Sequence, residues 1–333
     1  MNRRTFLFAS AAAGALSAEQ RSQMGIAVTC YLSFARPKDN LEFLEHAHAL
    51  GAGGIQMPLT SREPDYIRKL RGRAEQYGMY FEAIARLPDK QDTAAFEATV
   101  AALKEAGALV VRVNCLPGRR YENFSDLDDW RHAVPRAEEN IDAALRIAEK
   151  HKLPLALENH KDFTAEEMAA LMKRKSSRWF GVCLDTGNNI SLLDDPMALV
   201  ETLAPYALCT HLKDMGVAPY PDGFLLSEMP LGEGMLDMRR VVDTIRRARP
   251  ETRLTLEMIT RDPLKIPCLT DRYWATLPDR NGRYLARTLR LVGESAGRAP
   301  LPVFSGLARE VQLQLEEDNV VRSLQYARAR LAL

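Results

Sequence analysis

The chain repeats one local order, a short apolar run followed by a longer stretch of helical period. Eight such runs succeed one another: GIAVTCYL, GGIQMPL, MYFEAIARL, LVVRVNCL, LPLALENH, FGVCLDTG, ALCTHLKD and RLTLEMI. A short apolar run bounded by turn residues suits a buried strand, and spacing of 3 to 4 suits a helix, so the alternation predicts strand then helix throughout. Between the first two runs, DNLEFLEHAHALGAGG opens on a capping Asp39, sets Leu41, Leu44 and Ala47 on one stripe, and stops at glycines. DTAAFEATVAALKEAG and RAEENIDAALRIAEKHKLP read the same way. Eight strand–helix units are the order of an α/β fold of the (β/α)8 TIM barrel kind, with a doubly wound open sheet as the alternative. The 333 residues suffice for either.

Three segments exceed the repeat. Residues 1–20, MNRRTFLFASAAAGALSAEQ, carry Arg3 and Arg4, then Phe6 and Leu7, then an Ala-rich stretch to Ala18. They resemble a twin-arginine export signal, although no basic residue follows Leu7, and predict a periplasmic protein, or a cytoplasmic one if the leader does not function. GVAPYPDGFLLSEMPLGEG, rich in Pro and Gly, reads as a loop over the top of the barrel. The tail from Ile266 holds LTDRYWATLPD and two further helical stretches, and Trp274 is expected to pack beneath a tail helix. The expected organisation is an export signal over 1–20, the barrel over 21–295, and a C-terminal helical extension over 296–333 packed on the barrel.

Composition removes several functions. The formal net charge is +1 with 27% charged residues, so no basic surplus exists to hold nucleic acid. The leader's apolar part is too short for stable membrane insertion. Cys30, Cys115, Cys183, Cys209 and Cys268 show no CxxC spacing and read as free thiols. Association into a homo-oligomer is left open.

Strand parity supplies the candidate site. Alternate side chains in a barrel strand face the interior, so Glu158 shares its direction with Ala156, Asp185 with Cys183, His211 with Cys209, and Glu257 with Thr255. The opposite parity carries Leu157, Leu184, Leu208 and Leu256, which suit the helix layer. Four consecutive strands thus end on inward polar groups at the face where barrel enzymes place their chemistry. Three carboxylates crowded there repel one another unless a cation or protons relieve them, and a divalent ion does so. Two Glu, one Asp and one His suit Mn²⁺, Mg²⁺, Co²⁺ or Zn²⁺, one ion per chain.

LALENH, CLDTGN, THLKD and LTLEM, the third being the most specific, resemble the xylose isomerase-like barrels. That family includes sugar isomerases and epimerases, inosose dehydratase and apurinic endonucleases. The resemblance covers about residues 24 to 295 and implies a metal held by Glu158, Asp185, His211 and Glu257. Few other histidines stand at strand ends, which argues against the multi-zinc endonucleases. Ketose 3-epimerases of the family carry a His three positions after the metal-binding Asp and an Arg shortly after the metal-binding His. Here those places hold Asn188 and Lys213.

A metal chelated by a carbonyl and its neighbouring hydroxyl stabilises an enediolate, and Glu158 and Glu257 can take and return the proton on its two sides. The expected reaction is isomerisation or epimerisation of a sugar or keto-sugar. Dehydration or another lyase reaction on a keto-sugar or inosose is the alternative, and a barrel that binds carbohydrate without chemistry is the contrasting class. Lys213 is the third catalytic candidate, to hold the enolate or donate to a leaving group, unless it merely pairs with Asp214. His160, Asn114, Arg86, Asn188 and Glu233 are candidate substrate contacts, Asn159 contacts substrate or orients Glu158, and Glu82 with Arg112 is read as a buried structural pair.

Overall fold

The apolar runs pair as one parallel sheet that curls into a barrel. The computed structural model describes residues 21–31 and 37–333, and the expected leader, residues 1–20, lies outside them. In chain order the barrel begins β1 (Gly25–Ala27), α1 (Asn40–Ala49), β2 (Gly54–Met57), α2 (Pro64–Tyr77), β3 (Tyr80–Ile84), α3 (Ala94–Glu105) and β4 (Val111–Val113). It continues α4 (Arg120–Asn123), α5 (Leu127–His151), β5 (Leu155–Glu158), α6 (Ala165–Lys175), β6 (Phe180–Asp185), α7 (Pro196–Leu203) and β7 (Ala207–His211). The remainder is β8 (Asp214–Tyr220), β9 (Gly223–Met229), α8 (Met238–Ala248), β10 (Thr255–Leu256), β11 (Leu264–Ile266), α9 (Asp271–Trp274), α10 (Gly282–Ser295) and α11 (Arg309–Leu331).

The sheet order is β10-β1-β2-β3-β4-β5-β6-β7. A parallel bridge between Leu212 and Leu256 joins the end of β7 to β10 and closes the ring. The fold is therefore a TIM barrel. Leu157, Leu184 and Leu256 join the large core between strands and helices, whereas Ala156, Cys183 and Cys209 form a separate small cluster on the inward parity, against which the half-buried Leu208 packs. All five cysteines are free. At the opposite end Tyr80 plugs the interior: its hydroxyl accepts from the Gly25 amide at 2.7 Å and donates to the Leu254 carbonyl at 2.8 Å. A side chain at Gly54 would overlap the Tyr80 ring, so that strand must begin on glycine.

The Pro- and Gly-rich stretch after β7 is not an open loop. Its halves pair antiparallel as β8 and β9, and β11 adds a third strand. Met215, Val217, Phe224 and Leu226 are buried among Ile266, Tyr273 and Val292, an apolar face that holds the small sheet to α9 and α10. Period-2 burial on both sides of Pro221 and Asp222 is the signature of a hairpin, which composition alone obscures. Trp274 packs edge-on against Tyr273 within this assembly, and its indole donates to the Cys268 carbonyl at 3.0 Å.

Helix α11 packs on the barrel between α1 and α8. His46 of α1 lies 3.1 Å from Glu317, Arg246 of α8 donates to the Ala332 carbonyl, and Val320, Leu324, Ala327 and Leu331 enter the main core. This is the place of the helix that would directly follow the eighth strand.

Candidate active site

Strands β5, β6 and β7 end on Glu158, Asp185 and His211, and Glu257 directly follows β10. One ligand atom from each lies within 4.8 Å of the others, and all four side chains are buried. His211 Nδ1 is the hub, 3.1 Å from Glu158 Oε1, 3.3 Å from Glu257 Oε2 and 3.8 Å from Asp185 Oδ2.

The ring orientation follows from the strands on the far side of the barrel. Gln56 on β2 stands in register with Glu82 on β3 and donates its amide to the Glu82 carboxylate at 3.0 Å. Its carbonyl oxygen therefore faces His211 Nε2 at 2.6 Å and accepts from it. With the proton on Nε2 used, Nδ1 is left to face the carboxylates, the arrangement a ligating histidine needs. Glu82 also accepts from Thr255 at 2.8 Å, and burial pushes its pKa up to about 7.

The expected pair between Glu82 and Arg112 does not form. In the sheet register Arg112 stands opposite Ile84, two residues beyond Glu82, and its guanidinium reaches onward to Glu158 instead. Lys213 likewise ignores Asp214. Its ammonium lies 2.6 Å from Glu257, 3.1 Å from Asp185 and 3.5 Å from Glu228. Asp214 collects the backbone amides of Met215, Gly232, Gly234 and Leu236, so it pins the segment that follows the hairpin. Burial favours neutral lysine, but Asp185 and Glu257 outweigh it and raise the Lys213 pKa above its ordinary value. Burial raises Glu257 too, and there His211 and Lys213 prevail and hold it well below the usual carboxylate range.

The remaining candidates divide. Asn188 sits at the centre: its amide donates to Glu158 at 3.1 Å and its oxygen accepts from Lys161 and, at 3.4 Å, from Lys213. Asn159 ties β5 to β6, bonding the Asp185 amide and carbonyl at 2.9 and 2.8 Å, so it orients the strand ends. His160 keeps a buried Nδ1 without a partner among the described residues, and burial with Lys161 and Arg112 nearby lowers its pKa to about 2, so the ring is neutral. The Asn114 side-chain oxygen is also buried and unpartnered. Arg86 is exposed past the end of β3, and Glu233 is held at 2.9 Å by Arg322 of α11. Neither joins the cluster.

Sequence reading missed Lys161, Glu228 and Arg261. Glu228 had a signal, since it shares parity with Phe224 and Leu226 on the buried face of β9.

The donor set fits a divalent cation. Metal–oxygen bonds of about 2.1 Å place ligand atoms up to about 4.2 Å apart, so the 4.8 Å spread needs only a small contraction. Asp185 Oδ2 supports the same reading: it is buried and makes no hydrogen bond among the described residues, although Lys213 stands near it. Its partner oxygen is already fixed by the amides of Gly187 and Asn188 at 2.9 and 2.7 Å.

A closed parallel barrel with buried acid and imidazole groups at its C-terminal mouth is the general design of TIM-barrel enzymes. A family model described as xylose isomerase-like TIM barrel matches residues 44–279, and the chain belongs to that family. One curated relative, 3-oxo-isoapionate decarboxylase of Pectobacterium atrosepticum, is 31% identical over 100 residues, a stretch covering 29% of this chain and 36% of that protein. The chain thus matches little more than a third of that relative's length. Among solved structures, D-psicose 3-epimerase of Clostridium cellulolyticum, in complex with D-tagatose, superposes with a TM-score of 0.55 at 15% identity, covering 82% of this chain and 98% of that one. The 3-keto-D-glucoside 4-epimerase of E. coli gives 0.55 at 13% identity, covering 81% and 100%. At these identities the likeness concerns the fold.

Proposed function

We propose that the protein is a divalent-metal-dependent enzyme that moves a proton beside the carbonyl of a keto-sugar, an isomerase or epimerase. The observation that carries this reading is the convergence of three carboxylates on His211 Nδ1 at the barrel mouth. A divalent ion held by Glu158, Asp185, His211 and Glu257 supplies stabilisation of the negative charge that develops on the carbonyl and adjacent hydroxyl oxygens as a neighbouring C–H bond breaks. Glu158 and Glu257 come from strands on different sides of His211, so one takes the proton and the other returns it. Lys213, in contact with Glu257, keeps its charge and offers an ammonium hydrogen bond to a charged oxygen. The small sheet adjoins the cluster through Glu228 of β9, which lies 3.5 Å from Lys213, and the burial of all four candidate ligands limits water there.

One observation favours a second reading, a lyase on a keto-sugar acid or inosose. Both proposed bases are bound by cations, Glu158 by Arg112 and Glu257 by Lys213, which weakens them as proton acceptors. A decarboxylation asks less of them: the bond to the carboxylate carbon breaks, CO₂ leaves, its electron pair passes into the carbonyl, and a proton is then placed on carbon. The similarity to a decarboxylase supports this alternative. The arginine-bearing leader supports export, which an intact N-terminus on envelope-derived protein would refute.

The deciding experiment incubates ketoses, keto-glycosides, inososes and keto-acids with protein and Mn²⁺, Mg²⁺, Co²⁺ or Zn²⁺ in deuterated water, followed by NMR. Metal-dependent deuterium uptake beside the carbonyl is expected. Saturable sugar binding without exchange or turnover for any pair overturns the reading and leaves a carbohydrate-binding barrel.

A further inference from the structure

Lys161 is a buried cation with no carboxylate paired to it among the described residues. It is 4% exposed, and its ammonium donates to Asn188 Oδ1, the same oxygen that Lys213 approaches. The carboxylates around it are already engaged: Glu158 by Arg112, Asp185 and Glu257 by Lys213, and Glu228 by Arg261 at 2.8 Å. An amide oxygen shared with a second ammonium is a poor exchange for water, so the site carries an unmet demand for negative charge. Burial and the nearby Lys213 lower the Lys161 pKa to about 7, the response expected of such a group. His160 Nδ1 and Arg261 Nε nearby are also buried and lack a partner among the described residues, so they are free to meet polar groups of a ligand.

The charge balance points the same way. With His211 neutral, as metal binding requires, Arg112, Lys161, Lys213 and Arg261 face Glu158, Asp185, Glu228 and Glu257, four cations against four carboxylates among the described residues. A divalent ion makes the site positive, and a neutral sugar leaves it so. We propose that the substrate carries a carboxylate and that Lys161 is the residue that binds it, an inference that rests on the keto-sugar reading above. A phosphate dianion fits less well, because it asks for several converging donors and, among the described residues, Lys161 is the one cation of this cluster not already paired with a carboxylate.

The test is calorimetric titration of the metal-free and the Mg²⁺-loaded protein with D-xylonate and D-gluconate, with xylitol and D-glucitol as neutral counterparts, and with D-fructose 6-phosphate. The sugar acids are expected to bind about tenfold or more tightly than the alditols, the range of a charge-assisted hydrogen bond. Lys161→Met should abolish the preference in the metal-free protein, where no ion can hold the carboxylate, and Lys161→Arg should retain part of it. Lys161→Met removes a buried charge, so its melting temperature should equal or exceed the parent's, which separates loss of binding from loss of fold. Equal binding of acids and alditols, a preference that survives Lys161→Met in the metal-free protein, or tighter binding of the sugar phosphate overturns the inference. Turnover of neutral keto-sugars alone overturns it while leaving the reaction class standing. Sugar-acid preference without metal-dependent exchange on any keto-compound has the reverse meaning.

Discussion

Replacing Lys213 by Met tests whether the lysine serves as the internal counter-cation of the metal centre. In the metal-free protein its ammonium stands within 3.5 Å of Asp185, Glu257 and Glu228, all buried. Removing one partner of such a buried set costs about 3–5 kcal/mol, because the remaining carboxylates are left without compensation. An unfolding entropy of about 2.1 cal/mol/K per residue gives roughly 0.7 kcal/mol/K for a chain of this length, so the melting temperature should fall by about 4–7 °C. A divalent ion restores the missing positive charge. Scanning calorimetry with and without saturating Mn²⁺ should therefore show Lys213→Met well below the parent without metal and close to it with metal. The stabilisation by metal should be larger in the variant than in the parent. A metal-free variant that melts within a degree of the parent, or equal increments in both proteins, would show that Lys213 does not neutralise these groups.

Metal-loaded protein should contain one divalent ion per chain by elemental analysis, and three tightly held ions would contradict a single coordination shell. Burial works against a charged His211, but the carboxylate of Glu257 favours it, and its pKa is raised to about 10. Metal binding must displace that proton, so titrations in buffers of different ionisation enthalpy should show about one proton released per ion at pH 7. Glu257→Gln should keep measurable metal and lose nearly all turnover, whereas Asp185→Ala should lose both; near-parental turnover by Glu257→Gln would remove Glu257 as an acid–base group. Lys161 has an ordinary pKa of 10.5 unfolded and about 7 folded, so between these values the unfolded chain binds more protons and stability rises with pH. The burial penalty, at most about 5 kcal/mol, is full below pH 7 and absent above 10.5, so Lys161→Met should exceed the parent in stability at pH 7 and converge with it towards pH 10. A gap independent of pH refutes this.

The candidate ligand cluster was legible because strand parity is a strict local rule. Glu158, Asp185, His211 and Glu257 each sit two positions above a small inward residue, and no tertiary detail is needed to align them. Partners were not legible where register decides. Whether Arg112 meets Glu82 or Glu158 depends on a two-residue offset between β3 and β4, which the chain's own periodicity does not reveal. Gln56 and Glu82 fix the tautomer of His211 from across the barrel, a contact that only closure creates. Lys161 and Glu228 are ordinary charged residues in sequence, and their burial appears only once the chain is folded, Glu228 on the hairpin of β8 and β9 and Lys161 against Asn188.

The position of α11 has a consequence for how the protein is made. Strand β10 ends at residue 256, and the helix that backs it begins at residue 309. A ribosome releases the eighth strand long before it releases that helix. During the interval β10 carries an uncovered apolar side, and the Leu212–Leu256 bridge is the seam's direct sheet contact. An exposed sheet edge of this kind invites pairing with other chains. Glu257 follows that strand, so the four-residue cluster proposed to hold the metal is assembled late in synthesis, and a nascent-chain chaperone that shields the open seam should raise the yield of correctly closed protein.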